Sequence, residues 1–109
     1  MADVIGAFEQ AVLLAVLRLR EEAYGRAILK DVQTRLERDI APGAVHATLV
    51  RLEQKGLLAS TLGPGTEVRA GRPRRFYSLK PAGRRALNQA RATVNKLWSG
   101  FKWPLKGTA

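Results

Sequence analysis

A mainly helical fold with one small β-hairpin is predicted by three features of the sequence. An apolar-striped segment begins at Pro42 and stops at Gly56, two strand-like runs then flank an arginine-rich loop, and further helical segments lie on either side. Three helices, a hairpin and a last helix make a winged helix-turn-helix with a C-terminal dimerisation helix. The expected division is residues 1–80 for the winged helix-turn-helix, 81–103 for the last helix and 104–109 for a tail.

The first helix is expected from about Gly6 to Leu19. There Phe8, Val12, Leu13, Ala15, Val16 and Leu19 cover a broad face, which suits a helix buried on more than one side and serving both core and partner. The second runs from about Tyr24 to Arg38, where Ile28, Leu29, Val32 and Leu36 form a narrower stripe and leave Arg26, Lys30, Asp31, Gln33 and Arg35 to solvent. In the third, Val45, Thr48, Leu49, Leu52 and Gly56 fall at helical spacing, so Ala44, His46, Ala47, Val50, Arg51 and Gln54 turn elsewhere. Pro42 suits the first turn, where its missing N–H costs nothing, and Gly56 can adopt the left-handed conformation that closes the other end.

Past Gly56, Leu58, Ser60 and Leu62 alternate with Ala59 and Thr61, and Phe76 and Leu79 flank a second run. Gly63, Pro64, Gly65, Gly71 and Pro73 crowd the interval, so a hairpin with a long tip is the economical reading. Arg69, Arg72, Arg74 and Arg75 then sit at its tip and base, where guanidinium groups suit phosphates or a minor groove. Pro81 can begin a last helix reaching about Phe101, with Leu87, Ala90, Val94, Leu97 and Phe101 at alternating three- and four-residue steps. Such a seam packs one helix along another, so with Phe8 and Trp98 these residues form the expected dimer interface.

Charge placement says more than total charge. The chain carries 19 Lys+Arg against 9 Asp+Glu, a net +10. Through Glu67 there are 8 basic and 9 acidic residues, and after it 11 basic and none acidic, so the excess belongs to the wing and the C-terminal segment. That asymmetry points to a polyanion, and to nucleic acid over membrane because the basic tract has no continuous amphipathic anchor.

At 109 residues there is room for one domain with a modest core, which makes burial through self-association attractive. The absence of Cys excludes disulfides and thiol-based zinc sites, and a single His46 excludes a His-rich metal site, so neither metal nor cofactor is expected. The longest apolar run, Ala11 to Leu17, is too short to span a bilayer, and the N-terminus lacks the basic start of a signal peptide, which favours the cytoplasm. With one His, no Cys, no glycine-rich phosphate loop and no close carboxylate pair beyond the solvated Glu21-Glu22, an enzyme is not expected.

The run from Leu14 to Gly83 resembles the PadR family of bacterial transcriptional regulators. The likeness is carried by Ala23-Tyr24-Gly25 opening the second helix, Leu49-x-Arg51-Leu52-Glu53-x-x-Gly56-Leu57 ending the third, and Gly71-Arg72-x-Arg74-Arg75-Phe76-Tyr77-x-Leu79-x-x-x-Gly83 across the wing. The resemblance implies a homodimeric repressor on a palindromic operator, joined through the last helix and released in many members by a small molecule. It is similar to the short branch of the family, with one C-terminal helix. His46 departs from the pattern by standing where Tyr is usual, and Lys80 by replacing the Thr common before the last helix.

The candidate double-stranded DNA contacts are thus Tyr24, Ala44, His46, Ala47, Arg51, Arg69, Arg72, Arg74 and Arg75. His46 can donate to a phosphate or purine edge, or stand as a surface imidazole. Tyr24 can offer its hydroxyl to a phosphate or pack beneath its turn, and Arg51 can reach a phosphate or enter a structural ion pair. Trp98 can line an apolar space that a small aromatic effector would enter, or serve as a plain interface aromatic. The alternative function is a winged-helix RNA-binding or protein-assembly module, since phosphate attraction is common to DNA and RNA.

Overall fold

The computed structural model describes residues 5–65 and 73–107. In chain order it comprises α1 (Ala7–Leu19), a 3-10 turn (Arg20–Glu22), α2 (Gly25–Leu36), α3 (Pro42–Gln54), β1 (Leu58–Gly65), β2 (Pro73–Leu79) and α4 (Pro81–Trp98). A helical body carrying one antiparallel hairpin is the predicted order.

The α1 helix starts where Gly6 is extended and the Glu9 carboxylate turns back to accept the Gly6 N–H at 3.3 Å. That contact satisfies a donor the first turn leaves unpaired. Val12, Leu13, Ala15 and Val16 are buried, with Phe8 and Leu19 packed partly against the same core. In α2, Ile28 and Val32 are fully buried, but Leu36, expected in the inward stripe, is 39% exposed. The helix ends there because Glu37 turns left-handed at φ 54, so the chain leaves the helical path short of Arg38. The Gln33 side chain then accepts the Ile40 N–H at 3.1 Å and holds the turn into α3.

The stripe of α3 behaves as its spacing demands, with Val45, Thr48, Leu49 and Leu52 all buried. Gly56 takes φ 77. Its N–H donates to the Glu53 carbonyl and the Leu57 N–H to the Leu52 carbonyl, both at 3.0 Å, the pair of bonds that closes a helix on a left-handed glycine. Three residues therefore separate α3 from β1, and the wing springs directly from the helix end.

In the hairpin Leu58 faces Leu79, Ser60 faces Tyr77 and Leu62 faces Arg75, with an irregularity between Leu62 and Gly65. Leu58 and Tyr77 are buried, whereas Leu62 is 59% exposed because the hairpin has by then left the core. The Tyr77 N–H donates to the Ala23 carbonyl at 2.8 Å, and Tyr24 bridges to Phe76. The segment before α2 thus acts as a short third strand that fixes the base of the wing.

The start of α4 is locked to the same region. The Lys80 N–H donates to the Leu57 carbonyl at 3.0 Å. Gly83 lies so close that a Cβ there would run into the Leu57 carbonyl oxygen. Ala86 is buried, and Ala82, Leu87 and Ala90 pack partly on the core. From Arg91 onward every residue of the helix is exposed, and the molecule is drawn out to 57 Å along its longest axis. The helix stops at Trp98 rather than near Phe101: Ser99 departs to ψ 128 and Gly100 to φ 91, so Phe101 lies beyond the helical seam.

Candidate nucleic-acid interface

The four buried residues of α3 fix what its other side presents. Ala44, His46, Ala47, Val50 and Gln54 are all exposed, giving a shallow face of small side chains bordered by one imidazole. Such a face can approach a groove closely.

The two flanks of this helix differ. Toward α1, Arg51 and Lys55 lie one helical turn apart, and both reach the same oxygen of Glu9. The Arg51 Nε is 3.2 Å and the Lys55 Nζ 3.1 Å from Glu9 Oε2, and the Arg51 Nη2 donates to Thr48 Oγ1 at 3.2 Å. The Glu9 side chain is only 12% exposed. Burial pushes its carboxyl up, but the Lys55 and Arg51 hydrogen bonds, the Gly6 N–H and the Lys55 charge outweigh that and hold it below the usual 4.5. Of the two roles open to Arg51 from sequence, the described contacts are those of the structural ion pair.

Toward the hairpin, an open groove of about 530 Å³ separates α3 from β2 and the start of α2. Tyr24, Arg26, Leu29, His46, Arg74 and Arg75 are among its walls. The Arg74 guanidinium lies 4.2 Å from the centre of the Tyr24 ring, which meets Phe76 edge-on at 5.7 Å. A cation held over an aromatic face is pre-oriented. Its Nε is buried and finds no acceptor among the described residues. Arg75 is held differently: its Nη1 donates to Ser60 Oγ at 2.9 Å, and that hydroxyl donates to Glu53 Oε2 at 2.7 Å. Tyr77, beneath this chain of bonds, has its phenol pushed up by burial and by the Glu53 charge, with Arg75 opposing.

The structure therefore brings Tyr24, His46, Arg74 and Arg75 to one groove, beside Ala44 and Ala47 on the exposed side of α3. Arg69 and Arg72 lie outside the described residues. Among the expected interface residues, Phe8, Leu87 and Ala90 pack partly into the chain's own core, whereas Val94, Leu97, Trp98 and Phe101 are 43%, 73%, 37% and 66% exposed. Sequence reasoning missed Glu9, Lys55, Arg26 and Ser60. Two cations at the i, i+4 spacing of Arg51 and Lys55 were the available signal that a carboxylate would stand between them; Ser60 carried none.

Comparison with known proteins agrees with this fold. The Transcriptional regulator PadR-like family matches residues 13–89. The chain is 43% identical over 58 residues to the transcriptional regulator Rv3488 of Mycobacterium tuberculosis, a match covering 53% of this chain and 50% of that protein, so it spans half the length of that curated relative. Among solved structures it is similar to a PadR family transcriptional regulator from Eggerthella lenta, with a TM-score of 0.64 and 32% identity over 82% of this chain and 75% of the other. The winged-helix DNA-binding protein F93 from STIV, at 14% identity, has the same fold with a TM-score of 0.64 over 90% of this chain and 99% of its own.

Proposed function

This chain belongs to the PadR-like family of transcriptional regulators, a family of regulators rather than enzymes, and from that membership we propose that it is a sequence-specific DNA-binding repressor acting in the cytoplasm as a homodimer. Two copies join through the exposed distal parts of their last helices and set their α3 helices into successive major grooves of a palindromic operator, roughly 34 Å apart. Ala44, His46 and Ala47 face base edges, and Arg74 and Arg75, with Arg69 and Arg72 of the tip, meet the flanking phosphates. Occlusion of the promoter follows. A small aromatic effector would meet Trp98, at the exposed end of α4.

One observation supports this reading above the others: His46 and the start of α3 border a single groove with two wing arginines. The RNA alternative has less to stand on, because Tyr77 is buried and Phe76 is packed on Tyr24, which leaves no exposed pair of rings on the hairpin for stacking bases. The test is fluorescence anisotropy with duplex DNA across a salt series. Binding that weakens with a steep log–log salt slope is expected, and failure to bind duplexes of any sequence in dilute buffer overturns the proposal. Replacing His46 and Ala47 is expected to change the site recovered from a randomised duplex pool, with less effect on random-sequence DNA; recovery of the same site removes both from the reading set.

A further inference from the structure

Adjacent wing arginines are treated in opposite ways by the fold. Arg74 lies on Tyr24 with its Nε lacking an acceptor among the described residues, while Arg75 is tethered to the last turn of α3 through Ser60 and Glu53. The tether follows from the register. Ser60 is opposite Tyr77 and Leu62 is opposite Arg75, so Ser60 and Arg75 are diagonal neighbours on one face of the hairpin, within reach of a long side chain. Glu53 reaches the same face from α3. The single hydroxyl proton of Ser60 goes to the Glu53 carboxylate, and a lone pair is left to accept from Arg75.

We propose that Glu53, acting through Ser60, is a specificity-determining positioning residue: it holds the Arg75 guanidinium against β1 and so limits sequence-blind phosphate contact by the wing. The inference rests on the reading of the α3–wing face as a DNA surface. Attraction to phosphates is shared by every sequence, so a released guanidinium gains a contact on random DNA, whereas on the operator the fixed Arg75 already meets its phosphate and gains little. Selectivity is the ratio of operator affinity to random-DNA affinity. A carboxylate that engages one arginine, and places it at a fixed distance from the reading helix, lowers the denominator. Because both hydrogen bonds are exposed, the tether contributes little to folding, and its removal is expected to leave the fold intact.

The experiment compares two duplexes over a salt series: the site that the unaltered protein selects from a randomised pool, and a random-sequence duplex of the same length. Glu53→Gln, of nearly equal shape, is expected to bind the random duplex several-fold more tightly, with a salt slope steeper by about 0.9, the increment of one added phosphate contact. The selected duplex gains less, so the ratio falls. Ser60→Ala is expected to move in the same direction by less. In an Arg75→Ala background, Glu53→Gln should leave the slope unchanged, which separates release of Arg75 from mere removal of a negative charge. An unaltered slope in Glu53→Gln alone, or a steepening that persists without Arg75, overturns the inference while leaving the DNA reading in place. If the unaltered protein binds neither duplex, it is the DNA reading that fails.

Discussion

The two halves of α4 share one helix and one apolar period and meet opposite fates. In the first half Gly83 and Ala86 are buried, with Ala82, Leu87 and Ala90 packed partly on the core. In the second, Val94, Leu97 and Trp98 repeat at the same helical spacing and stand exposed among the described residues. Periodicity announces that a face will be covered, not what covers it. The near half belongs to the fold of one chain, and the far half is where the proposed second copy would pack.

That contrast can be broken most directly at its far end. Leu97→Glu is expected to raise the dimer dissociation constant by about a hundredfold or more, since a carboxylate would be placed where two apolar faces meet. Sedimentation should then show folded monomers with the circular dichroism of the unaltered protein. Dimers that persist at micromolar concentration would place the interface elsewhere. At the near end the expectation reverses: Gly83→Ala drives a methyl into the Leu57 carbonyl and should cost about 1–3 kcal/mol. The loss should appear in urea melts, and a melt indistinguishable from that of the unaltered protein would mean the contact is absent.

Smaller effects sharpen the same division within the body. Arg74→Ala removes one cation from the wing side of α3 and should flatten the salt slope for duplex binding by about 0.9 without changing the oligomeric state. Glu9→Gln, on the opposite flank, should lower stability at neutral pH by up to about 1 kcal/mol. The sign follows from its depressed pKa. The stabilisation is present above the usual carboxylate range and is lost as pH falls through the lower folded-state value. Melts of the two proteins should therefore converge in acid, and a gap that widens as pH falls would contradict the ion-pair geometry.

Much of this was written in local pattern. Gly56 ended α3 with its two closing bonds, and Val45, Thr48, Leu49 and Leu52 all turned inward, because helix period and glycine conformation are decided within a few residues. The hairpin was legible for the same reason. Leu36 and Leu62 were not: each continues an apolar pattern past the point where the core ends, and no local signal marks that point. Glu9 lies 42 and 46 residues from Arg51 and Lys55, so its pairing depends on how α1 crosses α3. The Glu53–Ser60–Arg75 chain depends on strand register, where a slip of one residue would turn Ser60 to the other face.

The peptide of Leu57 gathers the ends of three elements. It follows the glycine stop of α3, opens onto β1, and its carbonyl both takes the Lys80 N–H and abuts Gly83. The long overhang of α4 is therefore a lever with its fulcrum three residues beyond the end of α3, and any load placed on the free arm, whether a second subunit or a wedged-in molecule, would be felt first at that pivot.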